Sequence, residues 1–353
     1  MNDRRNRRRF LPTVGPLEMR ALLSTMNAGD YDGDRKADAA IYDATDASFY
    51  IRTRTGTPIA DQLGFIGHDN VPVVADYDGD GRADDAIFDA NTATFYVRTR
   101  AGGGIARQLG IVGNDNVPVV ADYDGDGKAD FGIFDATTAT FYVHTQAGGA
   151  FSDQLGILGH DNVPVIGNYD GDNKADLSIY DATTATFHVH LRVGGGFSDQ
   201  LGIVGHRNIP MVADFDGDGR TDDGIFDATT STFHARTRSG GAFSDQLGVV
   251  GRRNVPIVAD YDGDGKVDVS IFEGNTATFY VHTRAGGAFA KQLGIVGHTN
   301  IPLIADYDGD GQSDFSIYDR TLATFYAHTR AGGAFSDQLG ILGHDNSPEV
   351  GSS

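Results

Sequence analysis

The chain has no cysteine. Disulfides are therefore excluded, and so are zinc and iron–sulfur centres built on thiolate ligands. The absence says little about compartment, because a chain of 353 residues needs no covalent staples to fold. No run of about 20 apolar residues occurs, so no membrane-spanning helix is expected. Positive charge is scarce: 28 Lys and Arg against 49 Asp and Glu give a net charge of −21. Nucleic acid is not an expected partner, since holding it depends on neutralising phosphates. Helical periodicity is missing throughout. So are a phosphate-cradling loop, a G-x-S-x-G elbow and a zinc-protease motif.

What the chain has instead is one stretch written seven times. Its second copy is Val74-Ala75-Asp76-Tyr77-Asp78-Gly79-Asp80-Gly81-Arg82-Ala83-Asp84. The first aspartate, or the asparagine replacing it, stands at 30, 76, 122, 168, 214, 260 and 306, a constant step of 46 (76 − 30) with no insertion. Seven steps run from 30 to 351. A fixed period of this length marks stacked supersecondary units, each too small to bury its own apolar face. The chain is one array.

Each copy is a nine-residue loop with carboxylates at positions 1, 3, 5 and 9. In chain order they are Asp30, Asp32, Asp34 and Asp38; Asp76, Asp78, Asp80 and Asp84; Asp122, Asp124, Asp126 and Asp130. Next come Asn168, Asp170, Asp172 and Asp176; Asp214, Asp216, Asp218 and Asp222; Asp260, Asp262, Asp264 and Asp268; and Asp306, Asp308, Asp310 and Asp314. Alternate aspartates turn toward a common centre, and glycines at positions 4 and 6 let the backbone curl at positive φ. Hard oxygens at this density suit Ca²⁺, which takes six to eight of them in flexible geometry, better than Mg²⁺, which keeps its waters. An EF-hand would need a bidentate glutamate at position 12, where Ile87 stands, and helical flanks where these are β-like. The loops hold 27 acids (seven times four, less Asn168) of the 49, and seven Ca²⁺ would bring the charge from −21 to −7. Without metal, repulsion inside each loop should loosen it.

Around each loop the sequence predicts four short strands. In the second repeat they are Val71 to Ala75, Asp85 to Asp89, Ala93 to Arg100 and Ile105 to Gly110, with turns at Ala90-Asn91-Thr92 and Ala101-Gly102-Gly103-Gly104.

The repeated D-x-D-G-D-G-x-x-D loop between apolar strands resembles the FG-GAP/VCBS repeat of integrin-α-type β-propellers, across some nine-tenths of the chain. The resemblance implies an all-β fold, a seven-bladed β-propeller of four-stranded 46-residue blades, holding up to seven Ca²⁺, one per blade. It also implies a backbone carbonyl ligand at position 7, from Lys36, Arg82, Lys128, Lys174, Arg220, Lys266 and Gln312. Pro72, which cannot donate a hydrogen bond, fits the edge strand lining a propeller channel. Two copies depart from the pattern and are expected to bind most weakly. Asn168 removes one carboxylate from the fourth loop, where Asn173 replaces glycine; Arg35 replaces that glycine in the first, at a cost of roughly 1 kcal/mol if φ is positive.

The apolar first strand begins at Val71, Val117, Val163, Ile209, Val255 and Ile301, but only Thr25-Met26-Asn27-Ala28-Gly29 precedes Asp30. The missing copy lies at the other end, as Ser347-Pro348-Glu349-Val350-Gly351, so the C-terminal strand is expected to complete the first blade. Residues 1–26 form a basic segment ahead of a propeller spanning 27–353. Arg4, Arg5, Arg7, Arg8, Arg9 and Arg20 lie in it, and Leu22-Leu23 is too short for a signal-peptide core. Pro16-Leu17-Glu18-Met19-Arg20-Ala21-Leu22-Leu23-Ser24 resembles the LEPR-XLL-type segment of planctomycete surface proteins, which implies export to a compartment where calcium is plentiful.

The third strand carries a period-2 ladder: Tyr50, Arg52, Arg54; Tyr96, Arg98, Arg100; Tyr142, His144, Gln146; His188, His190, Arg192; His234, Arg236, Arg238; Tyr280, His282, Arg284; Tyr326, His328, Arg330. These residues cover apolar surface and balance the acidic loops; alternatively they stack on and hydrogen-bond sugars. His188 and His190 share a face in the manner of a metal pair, an arrangement more often structural. A catalytic centre would need residues that break the symmetry, and almost every candidate recurs; Ser152-Asp153, for one, returns as Ser198-Asp199, Ser244-Asp245 and Ser336-Asp337. The expectation is therefore an exported, monomeric, calcium-loaded propeller with no enzymatic activity. It acts as a binding or adhesion scaffold for a cell-surface protein or glycan, with a multivalent lectin as the alternative.

Overall fold

In the computed structural model, residues 29–349 are described. The basic segment 1–26, Thr25 to Ala28, Val350 and Gly351 lie outside them. The described residues make twenty-eight strands, β1 to β28, in seven four-stranded antiparallel sheets. They are the blades of a seven-bladed β-propeller, as the repeat implied.

The second blade stands for the rest. It is built from β4 (Asn70–Pro72), β5 (Asp85–Asp89), β6 (Thr94–Arg98) and β7 (Gly104–Gln108). Ile87 pairs with Pro72 on one side and Tyr96 on the other, and Tyr96 pairs in turn with Ala106. The first strand is shorter than expected. Its ladder stops at Pro72, and the chain then holds on through one bond from Val73 N to Ala86 O (2.8 Å) and a lone bridge from Ala75 to Asp84. Only in the last two repeats does it run six residues, as β20 (Asn254–Ala259) and β24 (Asn300–Ala305). Pro72 lies on the sheet edge, where a missing N–H costs no ladder bond.

All five residues of β5 are buried, whereas β7 alternates exposed and half-buried. The apolar core lies between blades. Tyr77, Phe88 and Phe95 of the second blade pack with Val120, Phe131 and Ile133 of the third, and Tyr77 stacks on Phe131 at 5.4 Å. No blade has a core of its own, which is why the period had to be read as an array.

β28 (Asn346–Glu349) pairs with β1 (Ala39–Asp43), placing Pro348 opposite Ile41 and Ser347 opposite Tyr42. The last strand therefore completes the first blade. One backbone feature was not foreseen. The turn between second and third strands places Ala47, Ala93, Ala139, Ala185, Ser231, Ala277 and Ala323 at positive φ, between 49° and 56°.

Candidate functional site: acidic loops and interblade clefts

Within each loop the carboxylates first organise the backbone. Asp76 Oδ1 accepts from Gly79 N (2.6 Å) and Oδ2 from Gly81 N (2.8 Å), across a turn in which both glycines have φ near 80° (78° and 81°). Asp84, fully buried, accepts from Tyr77 N (2.9 Å) and from Arg100 N (2.7 Å), tying the end of the third strand to the loop. Asp80 Oδ1 accepts from Arg82 N (2.9 Å). The loops also join one another. The amide at position 8 donates to the position 1 carbonyl of the preceding loop, as in Ala83 to Asp30 (2.7 Å) and Ala129 to Asp76 (2.8 Å). Position 7 behaves in a way the sequence did not show. Its side chain covers the preceding loop, with the Lys128 stem 3.2 Å from where a Cβ on Gly79 would sit. Gly79 thus serves both a positive φ and a close approach.

This geometry brings ligand atoms of positions 1, 3 and 9 within 4.8 Å of one another in the first three loops: Asp30, Asp32 and Asp38; Asp76, Asp78 and Asp84; Asp122, Asp124 and Asp130. In the fifth loop the group is positions 1, 3 and 5, Asp214, Asp216 and Asp218. The donor set fits a hard divalent cation. Oδ1 of Asp124, Asp216, Asp262 and Asp308 is buried without a hydrogen-bond partner, and an orphaned carboxylate oxygen is costly unless something positive meets it. Burial pushes the position 9 carboxyl up, to about 7 for Asp38, Asp130 and Asp222 and to about 6 for Asp84, Asp176, Asp268 and Asp314, with neighbouring loop carboxylates adding to the rise and backbone hydrogen bonds opposing it. The two departures from the pattern have structural counterparts. Arg35 sits at φ 67° and Asn173 at 65°. Asn168 Oδ1 still accepts from Gly171 N (2.8 Å), but its amide nitrogen cannot accept from position 6 as Asp76 does from Gly81.

A second recurrent site lies where the outer strand of one blade faces the third strand of the next. Ladder residues there meet an outer-strand acid at a separation of 37 residues. Arg98 pairs with Asp61 (2.8 Å), His190 with Asp153 (2.8 Å), Arg236 with Asp199, His282 with Asp245 (2.9 Å) and Arg52 with Asp337 (3.8 Å). The next ladder arginine lies on the preceding blade's phenylalanine: Arg54 over Phe335 at 3.5 Å, Arg192 over Phe151 at 3.4 Å, Arg284 over Phe243 at 3.5 Å. Arg238 lies 4.3 Å over Phe197 and also pairs with buried Asp223, while Arg100, where Ile59 replaces the phenylalanine, pairs with the equivalent Asp85 and with Asp61 (3.2 Å). Between the first two blades the cleft is an open recess of about 610 Å³, lined by Asp61, Tyr96, Arg98, Arg100 and the glycine turn 102–104 among others. The Ser-Asp signature of the outer strand is therefore half of an interblade contact, invisible until strand faces are assigned. His188 and His190 do not act as a pair: His188 bonds Ser198 Oγ and His190 bonds Asp153.

A third repeated feature was also missed. The connection from each outer strand to the next blade exposes two apolar residues, from Phe65 (44%) and Ile66 (65%) round to Ile341 and Leu342, at the opposite end of the strands from the acidic loops.

No family model and no curated protein matches the chain. Solved structures resemble its fold. A lectin of Agrocybe aegerita that recognises non-reducing terminal N-acetylglucosamine superposes with a TM-score of 0.65 at 17% identity, covering 90% of this chain and 96% of that one. Virginiamycin B lyase of Staphylococcus aureus gives 0.59 at 11%, covering 90% and 98%. BBS1N, in complex with ARL6DN, gives 0.55 at 13%, covering 91% and 92%. Likenesses this distant establish the class, a seven-bladed β-propeller, and leave its task to its own residues.

Proposed function

We propose that the protein is a calcium-loaded binding scaffold without catalytic activity, of the FG-GAP/VCBS kind. In this reading it is exported by way of residues 1–26 and presents repeated contact sites to a cell-surface protein or glycan. The observation that carries it is recurrence. Acidic loops, clefts and exposed apolar pairs return blade after blade, whereas catalysis would concentrate unlike groups at one place. The orphaned loop oxygens, Asp124 Oδ1 among them, support Ca²⁺ as part of the architecture. The positions that would hold it are those named above, with the position 7 carbonyls completing the set.

A second reading, a multivalent lectin, is favoured by the clefts. Tyr96 beside Arg98 and Asp61 supplies a ring face, charged donors and acceptors in one recess, the chemistry that grips a saccharide. The fold is also that of a lectin among its structural neighbours. Glycan-array binding at fixed calcium separates the two. Sugar hits lost on changing Tyr96 and Arg98 support the lectin; a blank array beside retained binding to a cell surface supports a protein partner.

A further inference from the structure

The seven clefts are not alike in charge. In five of them the outer strand contributes an aspartate that neutralises a ladder cation across the gap: Asp61, Asp153, Asp199, Asp245 and Asp337. In the other two, that position holds a cation. Arg107 stands on the outer strand of the second blade and Lys291 on that of the sixth, and the ladder residues at the matching positions of the next blades, 37 residues on, are His144 and His328. Arg107 Nη1 lies 3.2 Å from His144 Nδ1 and 3.0 Å from Nε2, so a guanidinium rests against an imidazole with no carboxylate between them. In the other cleft Arg330 lies 4.1 Å above Phe289. Among the described residues, Lys291, His328 and Arg330 have no acidic partner.

The substitution is patterned. Where the outer strand loses its acid, the ladder residue opposite is histidine and never arginine, although histidine also faces aspartate at His190 and His282. Arginine stays opposite aspartate. Both clefts therefore present cationic side chains that, among the described residues, meet no carboxylate, on a chain of net charge −21, and such groups offer charge-assisted hydrogen bonds to an anion.

We infer that these two clefts, and not the other five, bind an anionic group, the carboxylate or sulfate ester of an acidic saccharide. The saccharide part rests on the lectin reading above; the anion part does not. Binding would place the charged oxygens between Arg107 and His144, or among Lys291, His328 and Arg330, with the cation and the imidazole as the two polar contacts.

The test is calorimetric titration of the calcium-loaded full chain with galactose 6-sulfate and galacturonic acid, with galactose as the neutral control. The expected stoichiometry for the acidic probes is two. Arg107→Asp and Lys291→Asp each install the Asp–His pair already present as Asp153–His190 and Asp245–His282, so folding should be preserved. Each variant should remove one site, and the double variant should weaken acidic binding at least tenfold. Asp153→Arg, which copies the Arg107–His144 arrangement, should add a third site. Acidic binding unchanged in the double variant, a stoichiometry of seven, or no acidic binding at all would overturn the inference. Inorganic sulfate bound at the same two sites as tightly as galactose 6-sulfate would keep the anion clefts and remove the lectin. Galactose and acidic probes binding alike at every cleft would keep the lectin and remove the anion clefts.

Discussion

The amide of Ala37 donates to the carbonyl oxygen of Asp306 at 2.8 Å, joining the first acidic loop to the seventh. Six bonds of the same kind link the remaining loops, so the loops form an unbroken ring of their own. The propeller is therefore closed twice, once by this loop-to-loop bond and once by the pairing of β28 with β1. The two closures lie at different places on the first blade, and they need not fail together.

Deleting Ser347 to Ser353 removes the second closure and keeps the first. It strips the partners of Ala40, Ile41 and Tyr42, uncovering a sheet edge and the apolar side chains beneath it. The melting temperature should fall by at least about 5 °C, and the truncated chain should associate at higher concentration. A melting curve superimposable on that of the full chain would show that the latch contributes nothing.

Calcium removal should act on the other closure. Treating purified protein with EDTA should lower the melting temperature, and titrating Ca²⁺ back should restore it by mass action on the folded state, about 2.7 kcal/mol per site at a hundredfold excess over Kd. Native mass spectrometry should count up to seven ions, with the first and fourth loops filling last. Indifference to chelator with no bound ion would remove the metal from the architecture.

Much of this was legible in the letters. The constant step of 46 located every acidic loop, and the misplaced Ser347-Pro348-Glu349 segment announced how the ring shuts. The clefts were not legible, because Asp61 and Arg98 meet across two blades; finding them requires knowing which face of β3 (Pro58–Gln62) turns toward which face of β6. Phe65 and Ile66 drew no reading from the sequence, because nothing in an apolar pair beside glycine tells that it is exposed. Ala93 carries no turn signature either. Its left-handed conformation is imposed by the hairpin around it, and its methyl group is fully buried.

Acidity offers a test with an unusual sign. Burial lifts the position 9 carboxyls to about 6 or 7, above the unfolded value of about 3.9. The folded, metal-free protein then binds more protons than the unfolded chain between those limits, so its stability declines as pH rises from about 4 through 7. Burial is outweighed at Asp181 and Asp227 by hydrogen bonds from His160 or His206 and from the following threonines, which hold both below the usual range; Asp61 and Asp216 are lowered too, and these four oppose the trend only under more acidic conditions. Urea unfolding in EDTA should therefore give a higher midpoint at pH 5 than at pH 7.5, and added Ca²⁺ should reverse that order. A midpoint that rises with pH in EDTA would mean these carboxyls ionise freely in the folded state.

The irregular loops allow the backbone and the charge to be tested apart. Arg35 occupies at φ 67° the place that Gly81 fills at 81° in the second loop. Arg35→Gly should relieve the left-handed strain and stabilise the protein by roughly 0.5–1 kcal/mol with or without metal. Asn168→Asp should behave differently. It supplies the missing acceptor for the amide of Asn173 and a fourth carboxylate to the loop, so it should tighten the fourth metal site. In EDTA at neutral pH the same change adds repulsion beside Asp170 and Asp172 and should stabilise nothing. Paired melting curves with calcium and with chelator check both: a gain for Asn168→Asp that persists in EDTA would make the effect one of hydrogen bonding alone, and no gain under either condition would remove position 1 from the ligand set.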